Sequence, residues 1–373
     1  MTSGGPLDSM RVAVLTEPGS IAVQSRPVPS PAADEVLIEV RSVGVCGSDT
    51  HYFDHGRIGD HVVTGPLVLG HESAGVIVAV GADVDPARVG ERVAIEPGVP
   101  CRSCAQCLSG HYNLCPDMVF HATPPVDGTL SEYVTHPAAF AFALPDSVSL
   151  DEGAMLEPLS VGIWACRRAG VAPGVRVLVT GAGPVGQLAA QVASAYGASE
   201  VVVADVNAHR LSVARDLGAT QVVDVTSRSL EDAYAGRPGP EVVLECSGHE
   251  GSTQAAIRVA APAARVVLIG MGGDTLALPL GDVQNRELWV TGVFRYANTW
   301  PTAIDLVASG RVRLEPLATG HFELEQTAAA LTAARDDATA IKSVIHPHGR
   351  PAGAGTGAAT DSTTDATEES AHA

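Results

Sequence analysis

The sequence is poor in basic side chains, with 23 Lys and Arg against 42 Asp and Glu and a formal net charge of −19 at pH 7. Such a balance repels phosphate backbones, so we expect no nucleic-acid partner. The sequence also lacks any apolar run approaching the ~18 residues of a membrane span. Its first ten residues lack the basic and apolar segments of a secretory signal. We therefore expect a cytoplasmic protein that does not enter a membrane.

At 373 residues the chain is long enough for two domains of ordinary size, and we expect neither end to belong to them. Residues 1–10 precede the first strand-like run and are predicted to be a loose leader. Residues 350–373 are rich in Gly, Ala, Thr and acidic residues and contain no large apolar side chain. They cannot bury enough surface to offset the entropy lost on ordering, so we predict a disordered tail.

Two kinds of hydrophobic pattern divide the rest of the chain. Residues 11–95 hold short β-branched runs punctuated by Gly and Pro, which is typical of a barrel-like β domain. Further along, buried strand-like runs alternate with amphipathic helical stretches, which indicates a doubly wound parallel sheet. The β-like ending AIKSVIHP is expected to rejoin the first domain. We predict a discontinuous domain of residues 11–157 and 297–349 around a second domain of residues 158–296.

Cysteine is scarce, yet four of the seven cysteines fall within fifteen residues. The four are Cys101, Cys104, Cys107 and Cys115. Their spacing suits a tight, reversing loop that offers four thiolates to one zinc ion, with no coordination position left open for chemistry. We predict a structural zinc lobe over residues 98–117; unrelated or disulfide-bonded thiols are the alternative. Cys166 and Cys246 are interpreted as buried core thiols.

A glycine-rich turn, residues 181–186 (GAGPVG), follows a strand-like run and opens a helix. Gly181 permits the tight turn, Gly183 lets the backbone approach a pyrophosphate, and Gly186 allows close packing of helix on strand. The N–H groups and the positive dipole end of the helix then face the phosphates. Because strand, turn and helix agree, we predict a dinucleotide site that includes Pro184 and Val185.

An acidic residue, Asp205, ends the next strand-like run, nineteen residues after Gly186. A carboxylate at this place accepts hydrogen bonds from the ribose hydroxyls and repels a 2′-phosphate, so NAD is favoured over NADP. Arg210, five residues later, is expected to stack on the adenine or pack at the rim of the site. The alternative is that Asp205 only caps a helix.

Three further residues have side chains that bind zinc. Cys46 follows a strand-like run, and His71 and Glu72 follow another. One thiolate, one imidazole and one carboxylate can form a three-ligand zinc site whose fourth position is open to water or substrate. Each residue is weak evidence alone, but together with a nucleotide site they predict a catalytic metal centre.

At this point the sequence resembles a known family, in the segments VCGSDTHYFDHGRIGD, LGHESAGVI, GERVAIEPGVPC, YNLCPDMVFHATPPVDGTL, EPLSVG and FRYANTWP. These resemble the sorbitol (L-iditol) and xylitol dehydrogenases of the zinc-dependent medium-chain dehydrogenase/reductase superfamily. GHE and the cysteine loop mark the superfamily, and ATPPxDGTL and FRYxNTWP mark the polyol branch. The resemblance covers residues 11–346. It implies an α/β protein with a GroES-like β-barrel catalytic domain and a Rossmann coenzyme domain.

The resemblance also implies how zinc is held. Cys46, His71 and Glu72 bind the catalytic ion, and Glu157 takes the fourth position, either directly or through a water molecule. Asp49 orients His71 by accepting its other N–H. Since all four cysteines of the lobe are kept, the resemblance implies two zinc ions per subunit.

The same resemblance implies a set of substrate and cofactor contacts. The polyol pocket is lined by Tyr52, Phe120, Glu157, Arg295 and Tyr296. Ser48 relays the proton of the reacting hydroxyl. Besides the glycine turn, the cofactor contacts are Ile269, Gly270, Met271, Val293, Phe294 and Arg295. A core role for Phe120 and a packing role for Tyr296 stay open.

The expected reaction is the reversible oxidation of a secondary alcohol of sorbitol, xylitol or L-iditol to the ketose, with hydride transfer to NAD. Alternatives are a zinc dehydrogenase of another secondary alcohol, such as 2,3-butanediol or L-threonine, and a catalytically silent nucleotide-binding relative. Members of the family are commonly homotetramers. The run WVTGVF, at the predicted edge of the parallel sheet, is a candidate for pairing between subunits.

Overall fold

The structure is a computed structural model that describes residues 8–350. The first seven residues of the predicted leader, and the predicted tail beyond Arg350, lie outside the described residues. Strand β1 (Ser9–Glu17) begins two residues earlier than the leader prediction allowed. The reason is that its first two residues pair with Pro27 and Arg26 of the following strand.

The first part of the described chain consists mainly of short strands. Val, Ile and Leu fill these strands, and Gly or Pro separates many of them, as expected for pleated, half-buried segments. The elements after β1 are β2 (Ser20–Pro27), β3 (Glu35–Gly44), α1 (Gly47–His55), β4 (Arg57–Ile58), β5 (His61–Val62), β6 (Leu67–Val68), β7 (Glu72–Val80), β8 (Arg92–Ile95), β9 (Gly98–Val99), α2 (Ala105–Leu108), β10 (Val119–Phe120), β11 (Tyr133–Pro137), β12 (Ala141–Ala143) and α3 (Leu150–Ala154).

The second part alternates helices and strands. Its elements are α4 (Leu156–Ala169), β13 (Arg176–Thr180), α5 (Pro184–Ala195), β14 (Glu200–Asp205), α6 (Ala208–Asp216), β15 (Gln221–Asp224), α7 (Leu230–Tyr234), β16 (Val242–Glu245), α8 (Glu250–Val259), β17 (Arg265–Leu268), α9 (Leu280–Asn285) and β18 (Trp289–Gly292). The strands pair in parallel in the order β15-β14-β13-β16-β17-β18. This is the doubly wound order of dinucleotide-binding domains, and it confirms the predicted fold class.

The last described part brings the chain back to the sheet that contains β3 and β7. Its elements are α10 (Trp300–Ala308), β19 (Ala318–Glu323), α11 (Thr327–Asp336) and β20 (Lys342–His346). Strand β20 pairs antiparallel with β3 and parallel with β19, which gives the sheet order β12-β8-β7-β3-β20-β19, with β11 also on β3. Helix α10 packs on α4, and its Trp300 stacks on Phe142 of β12, so it contacts both parts of the chain before β19 joins the sheet.

Helix α4 connects the two parts. It packs mainly on α5 and also contacts β16 and β17 of the parallel sheet and β7 of the first sheet. Its N-terminal turn carries Glu157, so the helix delivers a carboxyl group to the boundary between the domains. None of the helices in the described range is long and apolar enough to cross a membrane.

Candidate active site

Two neighbouring strands bring the three predicted zinc ligands together. Cys46 caps the N-terminus of α1, just after β3, and Glu72 begins β7, just after His71. Because β3 and β7 are paired, with Gly44 opposite Glu72, the ends of both strands lie at one place. One ligand atom from each of the three side chains lies within 4.8 Å of the others. A thiol, an imidazole and a carboxylate at this spacing fit a zinc ion with an open position.

The carboxylate of Asp49 holds two of these ligands, Cys46 and His71, in position. Its carboxylate accepts hydrogen bonds from the backbone N–H groups of Cys46 at 3.0 Å and Gly70 at 2.9 Å. One of its oxygens also lies 3.5 Å from Nδ1 of His71. Burial opposes the charged carboxylate, but His71 and these hydrogen bonds outweigh it and lower the pKa of Asp49. The ring is thereby held with its other nitrogen available to a metal, as in many zinc sites.

Lys342 is a functional residue that the sequence analysis missed. Its Nζ lies 2.8 and 2.7 Å from the two carboxylate oxygens of Glu72, and it also donates to the carbonyl of Val45 at 2.8 Å. Both charged side chains are almost fully buried. Burial alone would lower the pKa of Lys342, but Glu72 and Cys46 raise it, so the lysine stays charged. It comes from β20, 270 residues from Glu72, and no local motif announces it.

Glu157 lies beside this cluster without joining the group of mutually close ligand atoms. Burial is the main reason that the pKa of its carboxyl group is raised to about 7, and Glu72 adds to the effect. The hydroxyl of Tyr296, next to Glu157, is buried and forms no hydrogen bond of normal geometry within the described residues.

The predicted residues meet in one cavity of about 400 Å³ between the domains. Those that line it are Cys46, Ser48, Tyr52, His71, Glu72, Phe120, Glu157, Gly183, Pro184, Val185, Gly186, Ile269, Gly270, Met271, Val293, Phe294 and Arg295. Those that do not line it are Asp49, Gly181, Asp205, Arg210 and Tyr296. Residues that the sequence analysis did not place in the site also line it, among them Ile58, His61, His121, Thr123, Val161, Cys246 and Lys342.

Arg295 crosses from the nucleotide domain to the first domain. Its guanidinium lies 3.6 Å from the centre of the Phe120 ring and 4.7 Å from that of Phe294, and it donates to the Thr123 hydroxyl at 3.3 Å. Burial lowers its pKa, although the group stays charged. The same contacts suit a substrate-binding arginine and a clamp between domains.

The glycine turn has the shape that a dinucleotide requires. A side chain at Gly186 would place its Cβ 1.8 Å from the carbonyl oxygen of Gly181, so only glycine fits there. At Gly183 a Cβ would meet no protein atom within 4 Å, which leaves the backbone open to a ligand. Asp205 ends β14 beside the turn and accepts hydrogen bonds from the backbone N–H groups of Ala182 and Asn207. The helix that follows is capped by Asn207 and not by Asp205.

Two residues near this turn make contacts that the sequence analysis did not predict. The guanidinium of Arg210 donates to the carbonyl of Ala340 at 3.2 Å, and the residue lies outside the cavity lining. Cys246 is partly exposed and lines the cavity. The interpretation of Cys246 as a core thiol is therefore wrong, because it follows β16 at the carboxyl edge of the sheet. Cys166, in contrast, is fully buried in α4.

The four cysteines of the lobe converge as zinc ligands do, and none of the seven cysteines forms a disulfide. The sulfurs of Cys101 and Cys104 lie 3.9 and 3.4 Å from that of Cys107, close to the ~3.8 Å that tetrahedral Zn–S bonds impose. Backbone N–H groups point at three of the sulfurs. Hydrogen bonds from Ser103 and the backbone lower the pKa of Cys101 to about 6, which favours the thiolate.

The lobe also holds the segment that carries Arg295. Asn113 donates to the carbonyl of Phe294 at 2.8 Å, and the Tyr112 hydroxyl accepts from the backbone N–H of Asn298 at 2.9 Å. The Asn298 side chain donates to the carbonyl of Gly110 at 3.1 Å. The lobe therefore supports one wall of the cavity from outside.

Comparisons with known proteins identify the family. The alcohol dehydrogenase GroES-like domain matches residues 32–146, and the zinc-binding dehydrogenase domain matches residues 184–309. The chain therefore belongs to the zinc-dependent medium-chain dehydrogenase/reductase superfamily.

Individual relatives narrow this placement. The sorbitol dehydrogenase of Macaca fascicularis is 47% identical over 318 residues, which cover 84% of this chain and 89% of that protein. The human sorbitol dehydrogenase is 46% identical, with the same coverage of 84% and 89%. The solved structure of L-idonate 5-dehydrogenase from Escherichia coli K-12 is 29% identical with a TM-score of 0.86, covering 91% of this chain and 98% of that chain. Within the superfamily, the chain lies in the sorbitol dehydrogenase branch.

Proposed function

We propose that the protein is a zinc- and NAD-dependent polyol dehydrogenase, which reversibly oxidises a secondary alcohol of sorbitol, xylitol or L-iditol to the ketose. The observation that supports this most is that the candidate zinc ligands and the glycine turn line the same cavity. Cys46, His71 and Glu72 line it from the first domain, and Gly183 and Gly186 line it from the nucleotide domain. A reacting carbon held between these groups is within reach of both metal and cofactor.

The cofactors supply the chemistry and the chain positions it. When bound, zinc acts as a Lewis acid on the hydroxyl oxygen, and NAD accepts the hydride. Cys46, His71 and Glu72 would hold the metal, and Asp49 keeps the His71 ring oriented. Ser48, half-exposed in the cavity lining, receives the hydroxyl proton and passes it to solvent. The carboxyl group of Glu157 also lines the cavity and can exchange a proton with a bound hydroxyl or water.

Recognition of a polyol requires polar groups for the hydroxyls that do not react. Arg295 offers several N–H donors at the cavity wall, and its fork can bind two neighbouring hydroxyls. The buried Tyr296 hydroxyl, which interacts with the Glu157 carboxyl group without a hydrogen bond of normal geometry, can gain a better one from a nearby substrate hydroxyl. Tyr52, buried beside the cavity, adds a third polar group.

Asp205 supports NAD as the cofactor. It lies at the end of β14, next to the glycine turn, where its carboxylate meets the ribose hydroxyls in this fold. A 2′-phosphate at the same place would be repelled. Arg210 does not offset this, since its guanidinium is directed at Ala340.

A substrate panel tests the proposal. The purified protein is assayed for NADH formation with sorbitol, xylitol, ribitol, 2,3-butanediol and L-threonine, and each reaction is repeated with NADP. We expect the highest kcat/KM with a polyol and NAD. Preference for butanediol or threonine would replace the polyol assignment, and inactivity with all substrates in zinc-loaded protein would indicate a silent relative.

We also propose a cytoplasmic homo-oligomer, with a tetramer favoured. Strand β18 is the edge of the parallel sheet, and its Trp289 is 68% exposed. An exposed edge strand with a large aromatic side chain is a surface that another copy can cover. Light scattering of the full chain, compared with Trp289→Ser, measures whether this edge holds subunits together.

A further inference from the structure

A third group of metal-binding side chains lies away from the two zinc sites. Asp151 of α3, His321 of β19 and His346 of β20 each offer a ligand atom, all within 4.8 Å of one another. The group shares no residue with the cavity or with the cysteine lobe. We propose that these three residues form a further site for a divalent transition-metal ion, which ties the last two strands to α3.

The hydrogen bonds of His346 define which of its nitrogens is available. Its Nδ1 lies 3.2 Å from the carbonyl oxygen of Arg41, and a carbonyl only accepts, so Nδ1 carries the proton. In a neutral ring Nε2 then presents a lone pair. This nitrogen is 3.1 Å from Nδ1 of His321. A metal-binding histidine typically donates its other N–H to a carbonyl in this way.

The spacing suits two nitrogens bound to one ion. Zn–N bonds of about 2.0–2.1 Å in a tetrahedral site place two nitrogens roughly 3.3 Å apart. His321 and His346 are near this separation already, so an ion could replace the proton that they now share. The third ligand, Oδ2 of Asp151, lies 3.7 Å from Nδ1 of His321, and all three ligand atoms lie within 4.8 Å of one another, so the carboxylate would move closer to bind the ion.

The carboxylate is also held in place. The hydroxyl of Ser42 donates to Oδ1 of Asp151, which orients Oδ2 toward the histidines. Ser42 directly follows Arg41, so consecutive residues of β3 support two of the three ligands. Hydrogen-bonded partners of this kind commonly raise metal affinity in known sites.

Exposure and charge set what the site can bind. The side chains of His321 and Asp151 are 20% and 29% exposed, so an ion has a path in, while His346 is buried. Two imidazoles and one carboxylate suit Zn²⁺, Ni²⁺, Co²⁺ or Cu²⁺ and not Mg²⁺ or Ca²⁺. The positive charge of Arg350 near His321 opposes a cation. We therefore expect weaker binding than at the four-cysteine site.

Zinc titration of the full chain tests the proposal. Protein already loaded with zinc at its other sites is titrated with Zn²⁺ by calorimetry, bound metal is counted, and melting temperature is followed. We expect a third equivalent and a higher melting temperature in the wild type. His321→Gln and Asp151→Asn should each weaken this step by at least about tenfold.

His348→Gln is the matched control, because His348 lies two residues past His346 and bonds the carbonyl of Glu132 instead. It should keep the third equivalent. The proposal is overturned if wild-type protein takes up no third zinc, or if both variants bind it as tightly as the wild type. If one variant does not fold, the other decides. The readouts are metal content and melting temperature, so they are independent of the proposed activity.

Discussion

The two predicted zinc sites are built in opposite ways. The four cysteines of the lobe come from one stretch of fifteen residues, and the lobe's own backbone N–H groups point at the sulfurs. The Cys46 site is assembled from the ends of β3 and β7, with a buried ion pair to β20. The four-cysteine site depends only on the spacing of cysteines along the chain. The Cys46 site exists only when the sheet that contains β3, β7 and β20 has formed. Damage to the first should therefore affect stability and damage to the second should affect catalysis.

The largest expected effect is at the assembled site. Cys46→Ser should lower kcat/KM by roughly 10³-fold or more, because one zinc ligand is lost where the hydroxyl is activated. Zinc content of the protein as isolated, before zinc is added to fill the third site, should fall from about two ions per chain to one, with the unfolding free energy little changed. Cys166→Ala, which alters a buried thiol outside the cavity, is the control and should keep both ions. Full activity in Cys46→Ser would contradict the proposed metal site.

A substitution in the four-cysteine lobe should lower stability more than catalysis. Cys104→Ser should cost about 3 kcal/mol or more of unfolding free energy, because a closed zinc site contributes to folding directly. Some loss of substrate affinity should accompany it, since the lobe holds Phe294 and Asn298. Denaturant unfolding and KM measure the two effects. Gln106→Ala, which changes an exposed side chain of the lobe and keeps every sulfur, is the control, and equal stability of the two variants would refute the structural role.

A pH experiment tests the junction between lobe and sheet. Burial raises the pKa of Glu96 from 4.5 to about 7, although a hydrogen bond from Tyr112 opposes this. The folded state thus binds a proton more tightly than the unfolded chain, so its stabilisation is present below pH 4.5 and is lost as pH rises through 7. Glu96→Gln should gain stability relative to wild type as pH rises, by up to roughly 3 kcal/mol above pH 7.

Thermal or denaturant unfolding of both proteins at pH 5 and pH 8 measures this difference. A constant difference between Glu96→Gln and the wild type across that range would mean that Glu96 is ionised in the folded protein.

The smallest expected effect is on activity, and it distinguishes a substrate-binding role of Arg295 from a role as a clamp between domains. Arg295→Ala should cost roughly 2 kcal/mol or more in transition-state binding of sorbitol or xylitol, and less with 2-propanol, which has no second hydroxyl. If Arg295 is instead a clamp between domains, the loss should be equal for every alcohol and should come with lower stability. Arg237→Ala is the control, since Arg237 also lies over an aromatic ring, that of Tyr234, but neither residue lines the cavity.

Much of the fold was predictable because its signals are local. The glycine turn follows a strand and opens α5, and the alternation of strands and helices predicted the parallel sheet, which is confirmed. The predicted site residues largely meet in one cavity, but their roles stay predictions. Lys342 could not be found, because its partner Glu72 is 270 residues away. Likewise, no spacing rule links Asn113 to Phe294, since only the packing of the two domains makes them neighbours.

The position of β20 has a consequence for how the protein is made. During synthesis the chain emerges from its N-terminus, and early domains usually fold first. Here β3 cannot acquire its neighbour β20 until the ribosome has translated the entire nucleotide domain, which lies between them in the sequence. Until then Glu72 has no counter-ion and the barrel lacks two strands. The nascent catalytic domain is thus left with open sheet edges, and we expect it to depend on chaperones more than the nucleotide domain does.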